Sequence, residues 1–191
     1  MTDLELLKNI KKHICLTEEE TSFFLSLITA KILPKKTLIL EAGQECRYLS
    51  YVGAGALRSY YKDKDGKEST IMFAIADWWI TDMYCYLNKK PAMMHIETLE
   101  QSTIFQISRA NFDHLLEKVP KFEKFFRILM QNAYTREQLR VMENLSSTAE
   151  ERYHNFLARY PQVVRQVTQK QIASYLGITP EFLSTLRKPK V

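Results

Sequence analysis

The segment from residue 168 to residue 188 restricts the fold of this chain more than any other: TQKQIASYLGITPEFLSTLRK. Gly177 divides the segment, and glycine can take a positive φ without a clash at Cβ. Thr179 followed by Pro180 predicts that a new helix begins directly afterwards. The threonine oxygen can cap free N–H groups, and a proline at the first helical position loses no needed donor. The spacing therefore predicts two short helices joined by a tight turn.

Apolar residues at helical spacing give these two helices a common buried face: Ile172, Leu176, Ile178, Leu183 and Leu186. Ala173 lies one turn before the glycine, where a larger side chain would hold the second helix away. Such a helix-turn-helix can place its second helix in the major groove of DNA. The side chains predicted to face DNA are Thr168, Gln169, Lys170, Thr179, Pro180, Glu181, Ser184, Thr185, Arg187 and Lys188. An ordinary helical hairpin is the alternative.

The charge distribution favours the DNA hypothesis. The net charge is +5, yet residues 1–150 contain 20 basic and 20 acidic residues. The excess lies in residues 151–191, where Glu151 and Glu181 oppose seven basic residues: Arg152, Arg159, Arg165, Lys170, Arg187, Lys188 and Lys190. A basic end on a neutral body is typical of phosphate binding. A solvated basic tail is the alternative.

Composition indicates a folded, cytoplasmic protein. A chain of 191 residues with 46% hydrophobic content can bury a sizeable core. No run approaches the roughly 18 apolar residues that a membrane span needs, and the charged N-terminus lacks a signal-like apolar segment. Cys15, Cys46 and Cys85 are odd in number and widely spaced, which favours reduced thiols.

The pattern along the chain predicts an α+β fold. Residues 1–30 are predicted to be helical, with a helix start at Thr17. Residues 35–108 alternate short apolar runs with turn residues, which predicts an antiparallel barrel or jelly roll. Asp65–Gly66 is the clearest hairpin turn, and residues 100–102 are expected to form a second. A capping box at Thr148 predicts a further helix, ended by Pro161.

Residues 120–146 lack turn residues and predict one long helix, with apolar positions at Phe122, Phe125, Phe126, Ile128, Leu129, Leu139, Met142 and Leu145. This helix could form a dimer seam. The alternative is that it packs on its own barrel. The predicted domains are a sensor barrel at 1–118, a dimerisation helix at 119–146 and a helix-turn-helix domain at 147–191. A reduced winged helix is expected, because residues 161–167 hardly leave room for a hairpin and few residues follow the second helix.

Four stretches resemble the Crp/Fnr regulators, whose members join a cyclic-nucleotide-binding-type barrel to a winged helix through a long dimerisation helix. They are LILEAGQE at 38–45, YVGAGALRSYYKDKDGKE at 51–68, AEERYHNFLARYP at 149–161 and QIASYLGITPEFLSTLRK at 171–188. The resemblance places Glu181 at the family's base-reading glutamate. Pro180 and Thr185 stand where better-known members carry arginines, so their operator preference is not expected here.

The same resemblance predicts an altered sensor site. Members that bind cyclic AMP use a Gly-Glu pair and, about ten residues later, an arginine followed by a small hydroxyl residue. Those places here hold Thr81, Asp82, Ala92 and Met93, with Met83 beside them. Ala92 cannot pair with a phosphate, although Asp82 could accept a hydrogen bond from a ribose hydroxyl. Cyclic nucleotide is therefore not expected, and Cys15 alone cannot hold an iron–sulfur cluster.

Aromatic and methionine residues near this site admit an apolar effector, with core packing as the alternative: Trp78, Trp79, Met83, Tyr84, Tyr86, Met93 and Met94. His13, His95, His114 and His154 are too scattered for a metal site, so no metal or other cofactor is expected. Neither a nucleophile elbow nor a Gly-rich phosphate loop is present, and no enzymatic activity is expected.

These patterns favour a homodimeric DNA-binding transcription regulator that senses an unidentified signal. The expected partners are double-stranded DNA, a second copy of the chain, RNA polymerase and a small-molecule effector. The alternative is a ligand-binding or protein-interaction module whose DNA-binding end no longer functions.

Overall fold

The structure is a computed structural model that describes residues 3–187. Eight strands occupy the first part of the chain: β1 (Ile28–Leu33), β2 (Leu38–Leu40), β3 (Tyr48–Ala54), β4 (Ala56–Lys62), β5 (Glu68–Ile75), β6 (Trp79–Ile80), β7 (His95–Thr98) and β8 (Ser102–Ser108). The helices described are α1 (Asp3–Lys11), α2 (Glu18–Ser26), α3 (Met83–Asn88), α4 (Arg109–Lys118), α5 (Lys121–Ser146), α6 (Ala149–Arg159), α7 (Pro161–Gln166), α8 (Gln169–Leu176) and α9 (Pro180–Leu186).

The strands form two four-stranded antiparallel sheets that face each other. One has the order β1-β8-β3-β6, and the other has the order β2-β7-β4-β5. Gly66, with φ of 81°, makes the predicted turn between β4 and β5. The predicted fold class, a jelly-roll-like barrel followed by a long helix and a helix-turn-helix, is confirmed.

Helix starts follow the predicted caps. The hydroxyl of Thr17 accepts from the backbone N–H of Glu20, whose carboxylate accepts from the Thr17 N–H at 2.8 Å. Thr148 and Glu151 make the same reciprocal pair before α6. Each box satisfies two helix-end donors that would otherwise lack a partner.

Two expectations about local structure were wrong. Residues 28–30 belong to strand β1, because their pairing with β8 outweighs the helical pattern that precedes them. Residues 100–102 join β7 to β8, but these strands lie in different sheets, so the turn is not a hairpin. The expectation that α6 ends at Pro161 is confirmed, and Pro161 also begins α7, since proline at the first helical position is well tolerated.

The buried apolar residues form two clusters. The first fills the barrel and includes Phe122, Phe125 and Phe126 from the start of α5. The second lies between the outer face of the β4–β5 sheet and helices α6 to α9, where Phe73 and Ile75 pack with Phe156 and Ile172 among others. The helix-turn-helix therefore shares a core with the barrel. Among residues 3–187 no helix is long and apolar enough to cross a membrane.

Candidate nucleic-acid interface and sensor site

The helix-turn-helix has the predicted local geometry. The Thr168 hydroxyl accepts from the Gln171 N–H at 3.3 Å, and the Gln171 side chain accepts from the Thr168 N–H at 2.8 Å, so α8 begins with a capping box. Gly177 ends α8 with φ of 69°. Thr179 caps α9 by accepting from the Phe182 N–H at 3.2 Å, and Pro180 is the first helical residue. The helix starts at Thr168 and Thr179 and the helix end at Gly177 thus carry the residue types that their backbone geometry favours.

The predicted apolar face is buried. Ile172, Ala173, Leu176 and Leu183 lie in the second apolar cluster, and Ile178 and Leu186 pack against it. Most of the residues predicted to face DNA are exposed: Thr168, Lys170, Thr179, Pro180, Glu181, Ser184, Thr185 and Arg187. Gln169 is half-buried, and its side-chain oxygen has no partner in the described chain. Lys188 lies outside the described residues.

Phe182 is an additional surface residue of α9 that the apolar pattern did not single out. Its side chain is 47% exposed, in the first turn of the second helix and next to Glu181. A phenylalanine on such a face can contact the methyl group of thymine. The sequence does indicate this exposure, because Phe182 directly precedes the buried Leu183 in the first turn of α9, and adjacent helical residues do not share a face.

Two of the basic residues counted toward the charge excess have structural partners. Arg159 pairs with the half-buried Glu143 of α5 at 2.5 Å, which also raises the pKa of the arginine. Arg152 donates to the backbone oxygens of Ser147 at 2.8 Å and Leu176 at 3.4 Å. These side chains fix α6 against α5 and α8. Within the described C-terminal part, Arg165, Lys170 and Arg187 are exposed and make no ion pair, whereas Arg159 is exposed but paired with Glu143.

Specific hydrogen bonds dock helix α8 on strand β5. The Ser174 hydroxyl accepts from the Thr70 N–H at 2.9 Å and donates to the Glu68 oxygen at 2.8 Å. Arg140 of α5 donates to the backbone oxygens of Ile71, Thr70 and Tyr175, and its guanidinium lies 4.2 Å from the centre of the Tyr175 ring. One arginine thus joins the long helix, the barrel and the helix-turn-helix.

Helix α5 has two different halves. Its first turns bury Phe122, Phe125 and Phe126 in the barrel core, as the packing alternative predicted. Its second half leaves several apolar side chains exposed: Tyr134, Leu139, Val141, Met142 and Leu145, the last 84% exposed. Exposed apolar patches of this kind are typical of interaction sites.

Asp82 has a different environment from the expected one. The residue is fully buried, and its carboxylate accepts from the N–H groups of Cys85 at 3.3 Å, Met93 at 2.8 Å and Met94 at 3.3 Å. The expectation of an Asp82 carboxylate open to a ribose hydroxyl was therefore wrong. The carboxylate caps α3 and fixes the following loop, so the chain satisfies its own backbone donors there.

The remaining predicted sensor residues do not converge on one pocket. Ala92 is buried, and its backbone pairs with Gln44 and Gly43, whereas Met93 points to the surface and is half exposed. Thr81 and Met83 line a groove of about 330 Å³ between α1, the barrel and α5. Trp78, Trp79, Met130 and Arg136 also line this groove. Tyr86 is a core residue, as the packing alternative predicted.

Within residues 3–187, the histidines and cysteines do not come together as a set of metal ligands. Among residues 3–187 no group of three His, Cys, Asp or Glu side chains could hold a metal ion. His95 stacks on Tyr60 with ring centres 5.1 Å apart. Burial raises the pKa of the Cys46 and Cys85 thiols, which disfavours the reactive thiolate.

Comparison with known proteins gives a consistent result. Residues 30–119 match the cyclic nucleotide-binding domain family. The chain is 26% identical over 170 residues to the regulatory protein HlyX of Actinobacillus pleuropneumoniae, covering 82% of this chain and 69% of HlyX. The solved structure of the c-di-GMP responsive global regulator CLP of Xanthomonas campestris aligns with a TM-score of 0.72 at 14% identity, covering 89% of both chains. A crp/fnr family regulator from Eubacterium rectale aligns with a TM-score of 0.71 at 16% identity, covering 90% of this chain and 82% of that one.

A cyclic-nucleotide-binding-type barrel, a long helix and a helix-turn-helix define a two-domain regulator of transcription. The chain is similar to the Crp/Fnr regulators, and the resemblance stated from its sequence is confirmed. The curated relatives are regulatory proteins, whereas the lack of enzymatic activity stays a prediction.

Proposed function

We propose that this protein is a homodimeric, sequence-specific DNA-binding regulator whose signal is not a cyclic nucleotide. The observation that carries the proposal is the α8–α9 pair, which buries its apolar face and exposes Thr168, Lys170, Glu181, Ser184 and Thr185 together. A helix pair of this form reads DNA by placing its second helix in the major groove.

Base reading is assigned to the first turns of α9. Glu181 can accept from the amino group of cytosine, and Phe182 beside it can contact a thymine methyl group. Ser184 and Thr185 complete the exposed face with short hydroxyl groups. Lys170 and Arg187 are assigned to phosphates, where they would supply affinity without sequence information.

The second half of α5 is assigned to the dimer. A single helix-turn-helix reads few base pairs, whereas a two-fold pair reads two half-sites one helical turn of DNA apart. The exposed Val141, Met142 and Leu145 form an apolar surface on which a second α5 could pack. In a two-fold dimer the same surface patch of each subunit forms the interface.

The sensor is assigned to the groove beside α5. Its wall combines Trp78, Trp79 and Met83 with the cation of Arg136, which suits an apolar molecule carrying an acidic group. Two observations disfavour a cyclic nucleotide. The buried Asp82 carboxylate already accepts hydrogen bonds from backbone N–H groups of the chain, and Ala92 has no guanidinium group to pair with a phosphate. No cofactor is assigned.

Signal transfer is assigned to the contacts that join the groove to the DNA-binding helices. Arg136 lines the groove, and Arg140 lies one helical turn further along α5, bonded to both β5 and α8. A ligand that favours one position of α5 would thereby favour one position of α8. RNA polymerase is the proposed downstream partner, and the cytoplasm is the proposed location.

The test is selection of random duplex DNA by the purified protein at physiological salt, run in parallel for the unaltered protein and Glu181→Ala. The unaltered protein should enrich a palindrome. Glu181→Ala should enrich the same palindrome with one position per half-site relaxed, because a lost base contact removes about 1–3 kcal/mol of discrimination. Sequencing of the enriched pools measures both.

Glu123→Ala is the matched control, since it removes an exposed carboxylate from α5 far from the DNA-facing residues. It should enrich the unaltered palindrome. Identical pools for Glu181→Ala and the unaltered protein would remove Glu181 from base reading. Absence of enrichment by every form, with and without small molecules, would instead favour the protein-interaction alternative.

A further inference from the structure

The hairpin formed by β4 and β5 lies directly beside the helix-turn-helix. A cleft of about 590 Å³ separates them, with Lys67 and Glu68 on the hairpin wall and Thr168, Lys170 and Thr179 on the opposite wall. Residues assigned to DNA thus share an open cleft with part of the barrel.

Between residues 121 and 187, the helical domain has no hairpin of its own before α8. Residues 161–166 form helix α7 where two strands of a winged helix would precede α8, and between residues 121 and 187 the described chain forms helices and no strand. A winged helix gains phosphate contacts from such hairpins, so the described domain leaves that role open.

The β4–β5 hairpin is held firmly in its position. Ser174 of α8 bonds to Thr70 and Glu68 at the start of β5, over more than 100 residues of sequence. At the tip, the Asp63 carboxylate accepts from the N–H groups of Asp65 at 3.0 Å and Lys67 at 2.9 Å. A fixed hairpin can present its side chains without the ordering cost of a mobile loop.

The hairpin carries exposed positive charge. Lys62, Lys64 and Lys67 are exposed, and no ion pair links them to an acidic side chain within residues 3–187. Asp63 is occupied by the turn, and Glu68 is paired with the buried Arg58 at 2.5 Å. Residues 62–68 also contain the exposed Asp65, so three lysines and three carboxylates balance formally. The lysines are exposed, have no ion pair within residues 3–187 and are free to contact phosphates.

We propose that the β4–β5 hairpin is a second DNA-binding element, in which Lys64 and Lys67 neutralise phosphates next to those bound by Lys170. The hairpin takes the place of a wing, although it belongs to the sensor barrel. The inference rests on the proposed function, because it assumes that α9 enters the major groove.

The test compares the salt dependence of binding to the selected palindrome for the unaltered protein, Lys64→Ala with Lys67→Ala, and Lys31→Ala with Lys35→Ala. The control pair removes the same charge from the exposed strand β1 and the segment after it, at the edge of the other sheet. Each lost phosphate contact flattens the slope of log K against log salt by about 0.9. The dimer loses two contacts on each subunit, so between about 50 and 200 mM salt the affinity of the hairpin variant should fall roughly a hundredfold less than that of the unaltered protein.

The hairpin variant should lose affinity equally for all sequences, and Lys64→Arg with Lys67→Arg should restore the slope. A hairpin variant that matches the control pair would overturn the proposal. Tighter binding by the hairpin variant would also overturn it, because the hairpin would then shield the helix-turn-helix. Failure of the unaltered protein to bind DNA would refute the proposed function itself, together with this inference.

Discussion

Replacing Val141 and Leu145 by glutamate is expected to convert a dimer of about 45 kDa into the 22.5 kDa monomer. Both side chains are exposed in the second half of α5, so the substitutions leave the barrel core intact. Paired α5 helices would bring four new carboxylates together in an apolar seam, which costs several kcal/mol. Light scattering measures the mass, and affinity for the palindrome should fall at least hundredfold, because one half-site is lost.

Lys118→Ala with Lys124→Ala is the matched control for charge, because it also makes the chain more negative by two charges. Both lysines are exposed, on α4 and in the first half of α5, outside the apolar patch. This control should remain dimeric and should keep its circular dichroism spectrum, as should the Val141 and Leu145 variant. A dimer that survives the paired glutamates would place the subunit contact elsewhere on the molecule.

Asp82→Ala is expected to lower the free energy of unfolding by about 3 kcal/mol. The substitution removes the buried carboxylate, so the three backbone N–H groups that donate to it lose their acceptor. For a chain of this size that loss of free energy corresponds to a fall in Tm of roughly 6–12 °C. Calorimetry measures it. Asp82→Asn should lose less, because the amide oxygen still accepts.

Asp113→Ala is the control, because it removes an exposed carboxylate paired with Arg109 and should change Tm little. The same experiment separates a structural Asp82 from a ligand-binding one. Cyclic AMP should leave the Tm of the unaltered protein unchanged. A Tm that rises with cyclic AMP, or that is unchanged in Asp82→Ala, would contradict the structural role assigned to Asp82.

The helix-turn-helix was predictable from sequence because its rules are local. Gly177, Thr179 and Pro180 fix the turn and the second helix start within a few residues, and their roles follow from φ, capping and a missing N–H. The turn at Gly66 was predictable for the same reason. The long helix was also predictable, since residues 121–146 contain neither glycine nor proline.

The features that the sequence did not reveal depend on contacts between distant residues. The bonds between Ser174 and β5 span 104 or more residues, and no local pattern indicates them. Asp82 was assigned to a ligand because its place in the family is a ligand site, whereas its bonds to Met93 and Met94 follow from the path of the loop. The sequence pattern predicts helix at the start of β1, because the pairing of this strand with β8 is not visible in residues 28–30.

The docking of α8 on β5 bears on how such a regulator can respond to a signal. Phe73 and Ile75 of β5 share one buried cluster with Ile172 and Leu176 of α8. Packed cores adopt discrete arrangements rather than deforming continuously. A signal that displaces β5 or Arg140 would therefore move α8 with it, which gives the barrel a direct mechanical link to the DNA-facing residues.

The ratio of two DNA affinities measures most directly whether the protein reads a specific site. The dissociation constant of the selected palindrome should be compared with that of a scrambled duplex of equal composition, by fluorescence anisotropy at physiological salt. A specific regulator should bind the palindrome at least about a thousandfold more tightly, with two chains per duplex. Equal affinities for the two duplexes, or a palindrome bound by a single chain, would contradict the account.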